Sequence, residues 1–385
     1  MTRKKHDVII IGAGPVGSYT AYLLAQKGLD VALVEKNCSI GQDVNCSGIV
    51  SLECFRRFGL SSEAVLGSVN SIKAVSPSGD TFRYHSASPL AHIVNRTVFD
   101  QELNGMAIRE GAKMYLNKKA REISVTADAF SIASSDEKED VYSAKVGVIA
   151  AGFEMNPIQG DLQRPRGYLY GIQTEAIMED VEDVEVYFGE KIAPGSFSWI
   201  VPVQGKSVKI GLITRSSPAG YLRGFLQHPF VAQRLQSYDN HMKCSPIPVK
   251  RIPKSYAERL VIVGEAAGQV KATTGGGIYF GLLCAEIAAD TIVKAFRSGN
   301  FTEDLFREYE IRWKKMLEPE LKAGLLLRNV FAKLSDRHID ILIDLAKRDG
   351  ILPIIKKAGF DWHKDIIGHI ISHILPKNLL NFVSR

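Results

Sequence analysis

Asp7-Val8-Ile9-Ile10-Ile11-Gly12-Ala13-Gly14-Pro15-Val16-Gly17-Ser18 is the stretch that predicts the fold of this chain. Its four consecutive β-branched residues indicate a buried parallel strand. The three glycines that follow have the spacing G-x-G-x-x-G, and a helix is predicted from 18 to 27, ending at Gly28. A second apolar strand is predicted from 30 to 34 and leads into Glu35. Strand, glycine turn, helix, strand and acid in this order predict a Rossmann-type α/β unit that binds a dinucleotide.

The glycines and the acid of this unit each have a physical role at a dinucleotide. Gly12 permits the tight turn, Gly14 lets the backbone approach a pyrophosphate, and Gly17 lets the helix pack closely on the strand. The free N–H groups at the start of the helix face the anionic phosphates. Glu35 ends the second strand, where its carboxylate can accept hydrogen bonds from a ribose diol. The alternative interpretation is a glycine-rich turn in another kind of α/β protein.

Length, charge and cysteine content limit the class of protein. A chain of 385 residues exceeds the usual size of one hydrophobic core, so we expect two interleaved domains and an appendage. The net charge of +6 suits an anionic cofactor or a negatively charged membrane surface, and is too diffuse to indicate nucleic-acid binding. The five cysteines include no C-x-x-C pair, which argues against a zinc site or a disulfide framework. We expect a cytoplasmic protein without a signal peptide or a transmembrane helix.

A polar loop is predicted from 36 to 50, and Cys46-Ser47-Gly48 is its most informative part. The small neighbours let the backbone lie against a flat ring, and a thiol can donate a proton. The alternative is a buried, inert cysteine in a turn.

A β-hairpin is predicted between 71 and 94. Arg96, just before the next predicted helix, can reach a phosphate or the edge of a cofactor ring, and the alternative is a solvated arginine.

Strand patterns dominate the middle of the chain. A second buried strand from 145 is followed by small residues up to Gly152, and such a strand returns to the parallel sheet with its small residues near the cofactor. From 153 to 254, strand-like runs alternate with Gly/Pro turns and predict an antiparallel sheet. Phe197 and Trp199 are two residues apart and therefore point to the same face of a strand. That face is either ordinary core or an aromatic wall for an apolar substrate.

The parallel fold is predicted to resume at 259, with a strand that ends in Gly264-Glu265-Ala266-Ala267-Gly268. Glu265 would lie at the sheet edge where doubly wound folds bind ligands, and can accept a hydrogen bond from a ribityl hydroxyl. Thr274-Gly275-Gly276-Gly277-Ile278 opens a helix predicted to end at about 297. Three glycines indicate backbone close to something flat. Their N–H groups and the positive helix end would stabilise the anion of a reduced flavin.

The chain is predicted to be helical from 301 to 385. Apolar clusters alternate there with basic residues, which predicts either helices that cap the substrate domain or a basic amphipathic helix in a membrane interface. His363, His369 and His373 lack an accompanying acidic pattern, so we predict no metal site.

These motifs together resemble the geranylgeranyl reductase family of FAD-dependent flavoproteins, within the wider p-hydroxybenzoate-hydroxylase-like fold. The match comprises the glycine fingerprint with Glu35, Cys46-Ser47-Gly48, Arg96-Thr97-Val98-Phe99-Asp100, the Glu265 motif and the triple-glycine motif, and it spans residues 7 to about 290. The Phe197-x-Trp199-x-x-Pro202 segment looks like the family motif Tyr-x-Trp-x-Phe-Pro, which lines the isoprenoid tunnel. The chain departs from the family at Glu265 (usually Asp), Ala272 (often Pro), Phe197 (often Tyr) and Val201 (often Phe). Its thiol loop also differs from the usual Cys-Gly-x-Gly.

The resemblance implies an FAD-dependent reductase that saturates C=C bonds of geranylgeranyl chains in a lipid or isoprenoid precursor. Hydride would come from N5 of the reduced flavin and a proton from a nearby acid, for which Cys46 is the candidate. Electrons would come from NAD(P)H or a ferredoxin-like carrier. Two alternatives stay open, an FAD-dependent monooxygenase of the same fold and a non-catalytic, membrane-associated flavoprotein that carries electrons.

The predicted fold class is α/β, with a Rossmann-type FAD-binding domain, an antiparallel-sheet substrate domain and a helical C-terminal part. The FAD domain is expected at 1–70, 95–155 and 255–300, the substrate domain at 71–94 and 156–254, and the helical region at 301–385. The expected FAD-binding residues are Gly12, Gly14, Pro15, Gly17, Glu35, Lys36, Cys46, Ser47, Gly48, Arg96, Ala120, Gly152, Glu265, Gly275, Gly276, Gly277 and Ile278. The expected substrate-binding residues are Phe197, Trp199 and Pro202. We expect a hydrophobic isoprenoid or lipid substrate, no nucleic-acid partner, and a peripheral membrane contact as one option.

Overall fold

The structure is a computed structural model that describes residues 3–134, 141–153, 167–348 and 360–364. The helices of these residues are α1 (Pro15–Ala25), α2 (Leu52–Phe58), α3 (Arg96–Arg109), α4 (Pro218–Leu226), α5 (Pro229–Ala232), α6 (Ile278–Ser298), α7 (Glu303–Phe331) and α8 (Asp336–Arg348). The strands up to the middle of the chain are β1 (Arg3–Ile11), β2 (Val31–Val34), β3 (Ile49–Ser51), β4 (Val65–Val69), β5 (Ser71–Val75), β6 (Thr81–His85), β7 (Ala91–Val94), β8 (Lys113–Tyr115), β9 (Ala120–Val125), β10 (Phe130–Ser134) and β11 (Val141–Ile149). The later strands are β12 (Tyr168–Met178), β13 (Val184–Tyr187), β14 (Ser198–Gln204), β15 (Ser207–Thr214), β16 (Leu235–Tyr238), β17 (Lys243–Pro248), β18 (Tyr256–Ala257) and β19 (Leu260–Ile262).

The first sheet is the Rossmann-type sheet that the opening stretch predicts. Its order is β18-β19-β11-β1-β2-β8, and β1 pairs in parallel with β11 and β2, so Ile11 lies beside Ile149 and Val34. Strand β1 is buried on both faces, because Val8 and Ile10 share a hydrophobic cluster with residues of α1 and α6, whereas Ile9 and Ile11 share another with residues of β10. The carboxyl ends of β1, β2 and β11 meet at one edge, which is where parallel sheets of this kind bind ligands.

The second sheet contains the antiparallel strands predicted between 153 and 254. Its order is β16-β12-β15-β14-β13-β5-β6, and β17 also pairs with β12. The predicted hairpin, β5 and β6, joins this sheet because β5 pairs in parallel with β13. Leu222 and Phe225 of α4 are fully buried in the core of this sheet.

A third, small sheet has the strand order β3-β7-β4. Ala91 and Ile93 of β7 share a hydrophobic cluster with Val184 and Val201 of the second sheet. The small sheet therefore connects the loop after Glu35 to the antiparallel sheet. We keep the domain boundaries stated above as a proposal.

Three local predictions need correction. Helix α1 begins at Pro15 rather than at residue 18, since the fixed φ of proline suits the first helical turn. Arg96 is the first residue of α3 and does not precede it, because the Asn95 side chain caps the helix by accepting from the Thr97 and Val98 N–H groups. Helices α4 and α5 interrupt the region predicted as strands. Each begins with a proline, which is a sequence signal for a helix start.

The helical prediction for 301–385 is confirmed over α7 and α8, whereas the described residues 360–363 are not helical. Beyond α8, the structure describes 360–364, and His369 and His373 lie outside the described residues together with the last basic clusters. Within the described chain, no helix has the length and apolar character needed to cross a membrane.

Candidate functional site: a flavin groove and a thiol loop

The turn between β1 and α1 has the geometry that a pyrophosphate requires. Gly12 adopts a φ of +96°, and a Cβ there would lie 2.6 Å from the Ala150 carbonyl oxygen. A Cβ on Gly17 would lie 1.9 Å from the Gly12 carbonyl oxygen. A Cβ on Gly14 would meet nothing within 4 Å, and Gly14 is the N-cap of α1 without a side chain that caps the helix. Open space therefore faces the start of α1, where the first N–H groups of a helix have no partner within the helix.

The ribose end of the groove is organised by Glu35. Its carboxylate accepts hydrogen bonds from the backbone N–H groups of Ala13 (2.9 Å) and Asn37 (3.0 Å), which ties it to the glycine turn. The Lys118 N–H donates to the Glu35 carbonyl oxygen, so Ala120, which opens β9 two residues later, lies at this end of the groove. Lys36 is exposed beside it.

Glu265 lies across the sheet edge from Glu35, in a short 3₁₀ turn that follows β19. A Cβ on Gly152 would lie 3.6 Å from the Oε2 atom of Glu265, so the small residues predicted after β11 lie next to this acid. The carboxyl group forms no hydrogen bond with the other described residues. Burial raises the pKa of Glu265 to about 7, and the charge of Arg96 opposes this shift. A ribityl hydroxyl would satisfy this carboxyl group.

The triple-glycine motif forms a tight loop before α6. The Gly275 N–H donates to the Lys271 carbonyl oxygen and the Lys271 N–H to that of Gly276, which closes the loop on itself. Gly275 has a φ of +74°, and Gly276 is exposed. Helix α6 then starts at Ile278, after Gly277, without a capping side chain. Its first N–H groups are available for a polar ring edge.

Arg96 lies at the centre of the groove. Its guanidinium group binds the Asp100 carboxylate with Nη2–Oδ1 at 3.0 Å, and 12% of its side chain is exposed. Burial disfavours the charged form of Arg96, but the Asp100 charge and the contact with Cys46 outweigh burial and raise its pKa. Burial also raises the pKa of Asp100 against the opposing effect of Arg96. Arg96 therefore stays charged and connects the thiol to the Glu265 region.

The thiol loop is held from both sides. Gly48 has a φ of +86° and packs against the Val94 carbonyl oxygen, and its N–H lies 3.4 Å from the Cys46 sulfur. On the other side, the Gln173 amide donates to the Cys46 carbonyl oxygen at 3.0 Å. Lys209 donates to the same oxygen at 3.3 Å.

Lys209 and Gln173 were missed by sequence reasoning. Lys209 also lies 3.5 Å from the carbonyl oxygen of Ser47, and burial lowers its pKa. The available signal was a lysine and a glutamine next to apolar residues, Lys209 between Val208 and Ile210 in β15 and Gln173 after Ile172 in β12. Their partner, the loop around Cys46, lies more than 120 residues away in the sequence.

Phe197 and Trp199, predicted to form either core or an aromatic wall, lie side by side, and Trp199 packs against a hydrophobic cluster of the antiparallel sheet and β7. Phe197 directly precedes β14, and its ring centroid lies 6.1 Å from that of Trp199. Gly211 makes room for the indole, since a Cβ there would lie 2.4 Å from the Trp199 ring. The Trp199 Nε1 atom is buried without a hydrogen-bond partner among the described residues. Pro202, three residues further along β14, is partly exposed.

The shape and chemistry of these residues suit the three parts of an FAD molecule. The space over Gly14 suits a pyrophosphate, the carboxyl of Glu265 suits a ribityl hydroxyl, and the glycine loop before α6 suits a flat ring. The thiol loop and Arg96 complete the groove at the ring end. The individual roles of the predicted residues remain proposals.

Comparisons with known proteins agree with this site. The family of FAD dependent oxidoreductases matches residues 7–65. Digeranylgeranylglycerophospholipid reductase of Methanocaldococcus jannaschii is 31% identical over 355 residues, which cover 88% of this chain and 90% of that protein.

Two solved structures share the fold. A geranylgeranyl bacteriochlorophyll reductase-like protein from Thermoplasma acidophilum has a TM-score of 0.86 at 20% identity, with 100% of this chain and 99% of that chain covered. An FAD complex of a variant of the halogenase PltM has a TM-score of 0.65 at 15% identity, with 98% and 94% covered. The α/β fold is thus that of FAD-dependent reductases and halogenases, and FAD is the cofactor. The chain belongs to the digeranylgeranylglycerophospholipid reductase family and is an FAD-dependent oxidoreductase.

Proposed function

We propose that this protein saturates C=C bonds of geranylgeranyl chains in a lipid or isoprenoid precursor. The position of Cys46 is the observation that carries the proposal. Its loop contacts Arg96 of the flavin groove on one side and Gln173 and Lys209 of the antiparallel sheet on the other. The same sheet carries Trp199. The name of the relative from Methanocaldococcus jannaschii supports a prenyl lipid as the substrate class.

The residues supply what an unactivated alkene needs. Such a bond has no carbonyl to polarise, so position and exclusion of water must do the work. FAD, when bound and reduced, supplies a hydride from its N5 atom. Cys46 donates the proton of its Sγ atom to the other alkene carbon, because cysteine can act as a general acid and the Cys46 loop lies between Arg96 and the antiparallel sheet. Lys209 and Gln173 hold the backbone of Cys46, and Phe197 and Trp199 pack against the prenyl chain.

The Cys46→Ala variant tests this assignment. We expect it to bind FAD as the wild type does and to reduce a geranylgeranyl lipid at least about 100-fold more slowly, the usual effect of removing a general acid. The measurement is a single-turnover assay of the dithionite-reduced enzyme, followed by mass spectrometry of the lipid. Cys244→Ala is the matched control, since Cys244 is an exposed cysteine of β17. A Cys46→Ala enzyme that keeps the wild-type rate would remove Cys46 from the mechanism.

Expression in a host that makes geranylgeranyl lipids tests the substrate class. Mass gains in steps of two hydrogens identify the reduced lipid, and we expect them to disappear when Gly276→Trp fills the glycine loop. A yellow, FAD-loaded protein that leaves all lipids unchanged would contradict the proposal. Oxygen-dependent NAD(P)H consumption with an aromatic substrate would then favour the monooxygenase alternative.

The electron donor and a membrane contact are part of the proposal. NAD(P)H or a ferredoxin-like carrier would reduce the flavin. A peripheral membrane contact would bring the lipid substrate to the enzyme, and Ile341 of α8 is an exposed apolar side chain that suits such a contact.

A further inference from the structure

Arg328 of α7 is a buried cation that the proposed chemistry does not use. The residue is 7% exposed and forms no ion pair with an acidic side chain in the described part of the chain. Its Nη1 lies 3.5 Å from the Ala272 carbonyl oxygen and its Nη2 lies 3.4 Å from that of Gly195. These are long contacts with neutral acceptors, which compensate poorly for the burial of a charge.

Arg328 lies between the loop that precedes α6, here called the flavin loop, and the segment that leads to Phe197 and Trp199. Ala272 belongs to the loop that leads to the triple glycine, and Gly195 precedes Phe197 by two residues. One turn earlier in α7, a Cβ on Gly324 would lie 3.7 Å from the Thr273 side chain, so the helix passes close to this loop. The guanidinium group therefore bridges the flavin loop, at Ala272, and the segment that precedes Phe197, at Gly195.

Each carbonyl group that Arg328 contacts is followed in the chain by a residue with an unpaired, buried hydroxyl group. Ser196 follows Gly195, is 2% exposed, and has a buried Oγ atom without a hydrogen-bond partner among the described residues. Thr273 follows Ala272, and its buried Oγ1 atom also has no partner there. A buried cation beside two unpaired hydroxyl donors is the donor set that a multivalent oxyanion satisfies.

A second cation lies at the rim of this region. Ile213 donates its backbone N–H to the Phe197 carbonyl oxygen, and a Cβ on Gly275 would lie 3.7 Å from the Ile213 side chain. Arg215, two residues later, is exposed. Burial and, to a smaller extent, the like charge of Arg215 together lower the pKa of Arg328 to about 10. A bound anion would relieve both unfavourable effects.

We propose that Arg328 and Arg215, with the hydroxyls of Ser196 and Thr273, bind a phosphate oxyanion beside the flavin loop. The anion is the phosphate of a lipid headgroup or free phosphate, and the planar fork of Arg328 suits either. The assignment of a headgroup rests on the proposed function, in which a prenyl chain packs against Phe197 and Trp199.

Equilibrium binding to the FAD-loaded enzyme tests the site without any turnover. The probes are 1-oleoyl lysophosphatidic acid, its neutral counterpart 1-oleoylglycerol, and inorganic phosphate, each followed through the flavin absorbance. We expect the phosphorylated lipid to bind about 10- to 100-fold more tightly than the neutral one, the range for a hydrogen-bonded charged pair. Arg328→Met should abolish this preference and Arg328→Lys should weaken it. Arg307→Met, an exposed arginine of the same helix, should leave it unchanged.

If Arg328→Met fails to fold, Arg215→Met provides a second test, because Arg215 is exposed and its substitution should leave the fold intact. We expect Arg215→Met to reduce the preference for lysophosphatidic acid over 1-oleoylglycerol several-fold. Inorganic phosphate that competes with lysophosphatidic acid supports the headgroup site. Tight binding of inorganic phosphate without a preference for the phosphorylated lipid assigns the site to free phosphate. Equal affinities for both lipids, with no binding of phosphate, would overturn the proposal even if alkenes are reduced. If the enzyme prefers lysophosphatidic acid over 1-oleoylglycerol but reduces no alkene, the proposed function is wrong and the phosphate site at Arg328 is supported.

Discussion

Arg96 and Glu265 show how single residues obtain their chemical character from neighbours that are distant in the sequence. Arg96 pairs with Asp100 four residues later, but its contact with Cys46 depends on how the thiol loop crosses α3. Glu265 is an ordinary acid in the sequence, and burial in the groove raises its pKa to about 7. The types and order of these residues could be predicted. Their environments could not, because desolvation depends on the whole groove.

The stability of the apoprotein should depend on the titration of Glu265. Its pKa is about 7 in the folded chain against 4.5 for the unperturbed group, so the folded state binds more protons between these values. The stabilisation is fully present below about pH 4.5 and is lost as the pH rises through 7. Glu265→Gln removes this dependence. From pH 5 to pH 8, we expect the variant to gain about 2–3 kcal/mol in unfolding free energy relative to wild type, as measured by urea titration. An equal difference at both pH values would contradict the buried-acid interpretation.

At the scale of elements, the β1–α1 turn and the loop before α6 were predictable because their glycines serve local geometry. Gly17 is required by its contact with Gly12 inside the turn, and Gly12 by its positive φ as well as by the nearby Ala150 carbonyl group, and the spacing of both glycines is visible in the sequence. The thiol loop is different. Gln173 and Lys209 hold it from strands of another sheet, so no local pattern around Cys46 indicates how it is oriented.

Gly14→Ala separates cofactor binding from folding. The residue has a φ of −69° and a Cβ there meets no protein atom within 4 Å, so the variant should fold with unchanged or slightly higher stability. The methyl group would occupy the space over which the pyrophosphate lies, and we expect the Kd for FAD to rise at least about 10-fold. Fluorescence titration of the apoprotein with FAD measures this effect.

Gly224→Ala, at an exposed and open position of α4, is the control and should leave FAD affinity unchanged. An unchanged Kd in Gly14→Ala would place the pyrophosphate elsewhere.

At the scale of the whole molecule, residues 360–364 connect the C-terminal part to both sheets. Asp361 binds Lys271 at 2.7 Å, with 5% and 9% of the two side chains exposed. Phe360 packs against the hydrophobic cluster that Trp199 also contacts, and the Trp362 ring lies 5.6 Å from that of Phe280 in α6. The C-terminal segment thus contacts the loop before α6 and the hydrophobic cluster between β7 and the antiparallel sheet.

A double-mutant cycle measures how tightly this segment is held. Lys271→Met or Asp361→Asn leaves the partner buried without its counter-charge, and we expect each to cost about 3–5 kcal/mol of unfolding free energy. The double variant removes both charges and should cost clearly less than the sum. Urea unfolding followed by tryptophan fluorescence provides the values. Costs that add up would show that the two residues do not stabilise each other.

The sequence by itself determined the Rossmann-type unit, the antiparallel sheet, the helical C-terminal part and the cofactor class. Each depends on a pattern within a few residues, such as strand periodicity, glycine spacing or a helix start. Only the tertiary structure decided that Lys209 holds the thiol loop, that Arg328 lacks an acidic partner in the described chain, and that Asp361 neutralises Lys271. These contacts join residues between 56 and 163 positions apart in the sequence. Their energies depend on burial, which no local pattern in the sequence specifies.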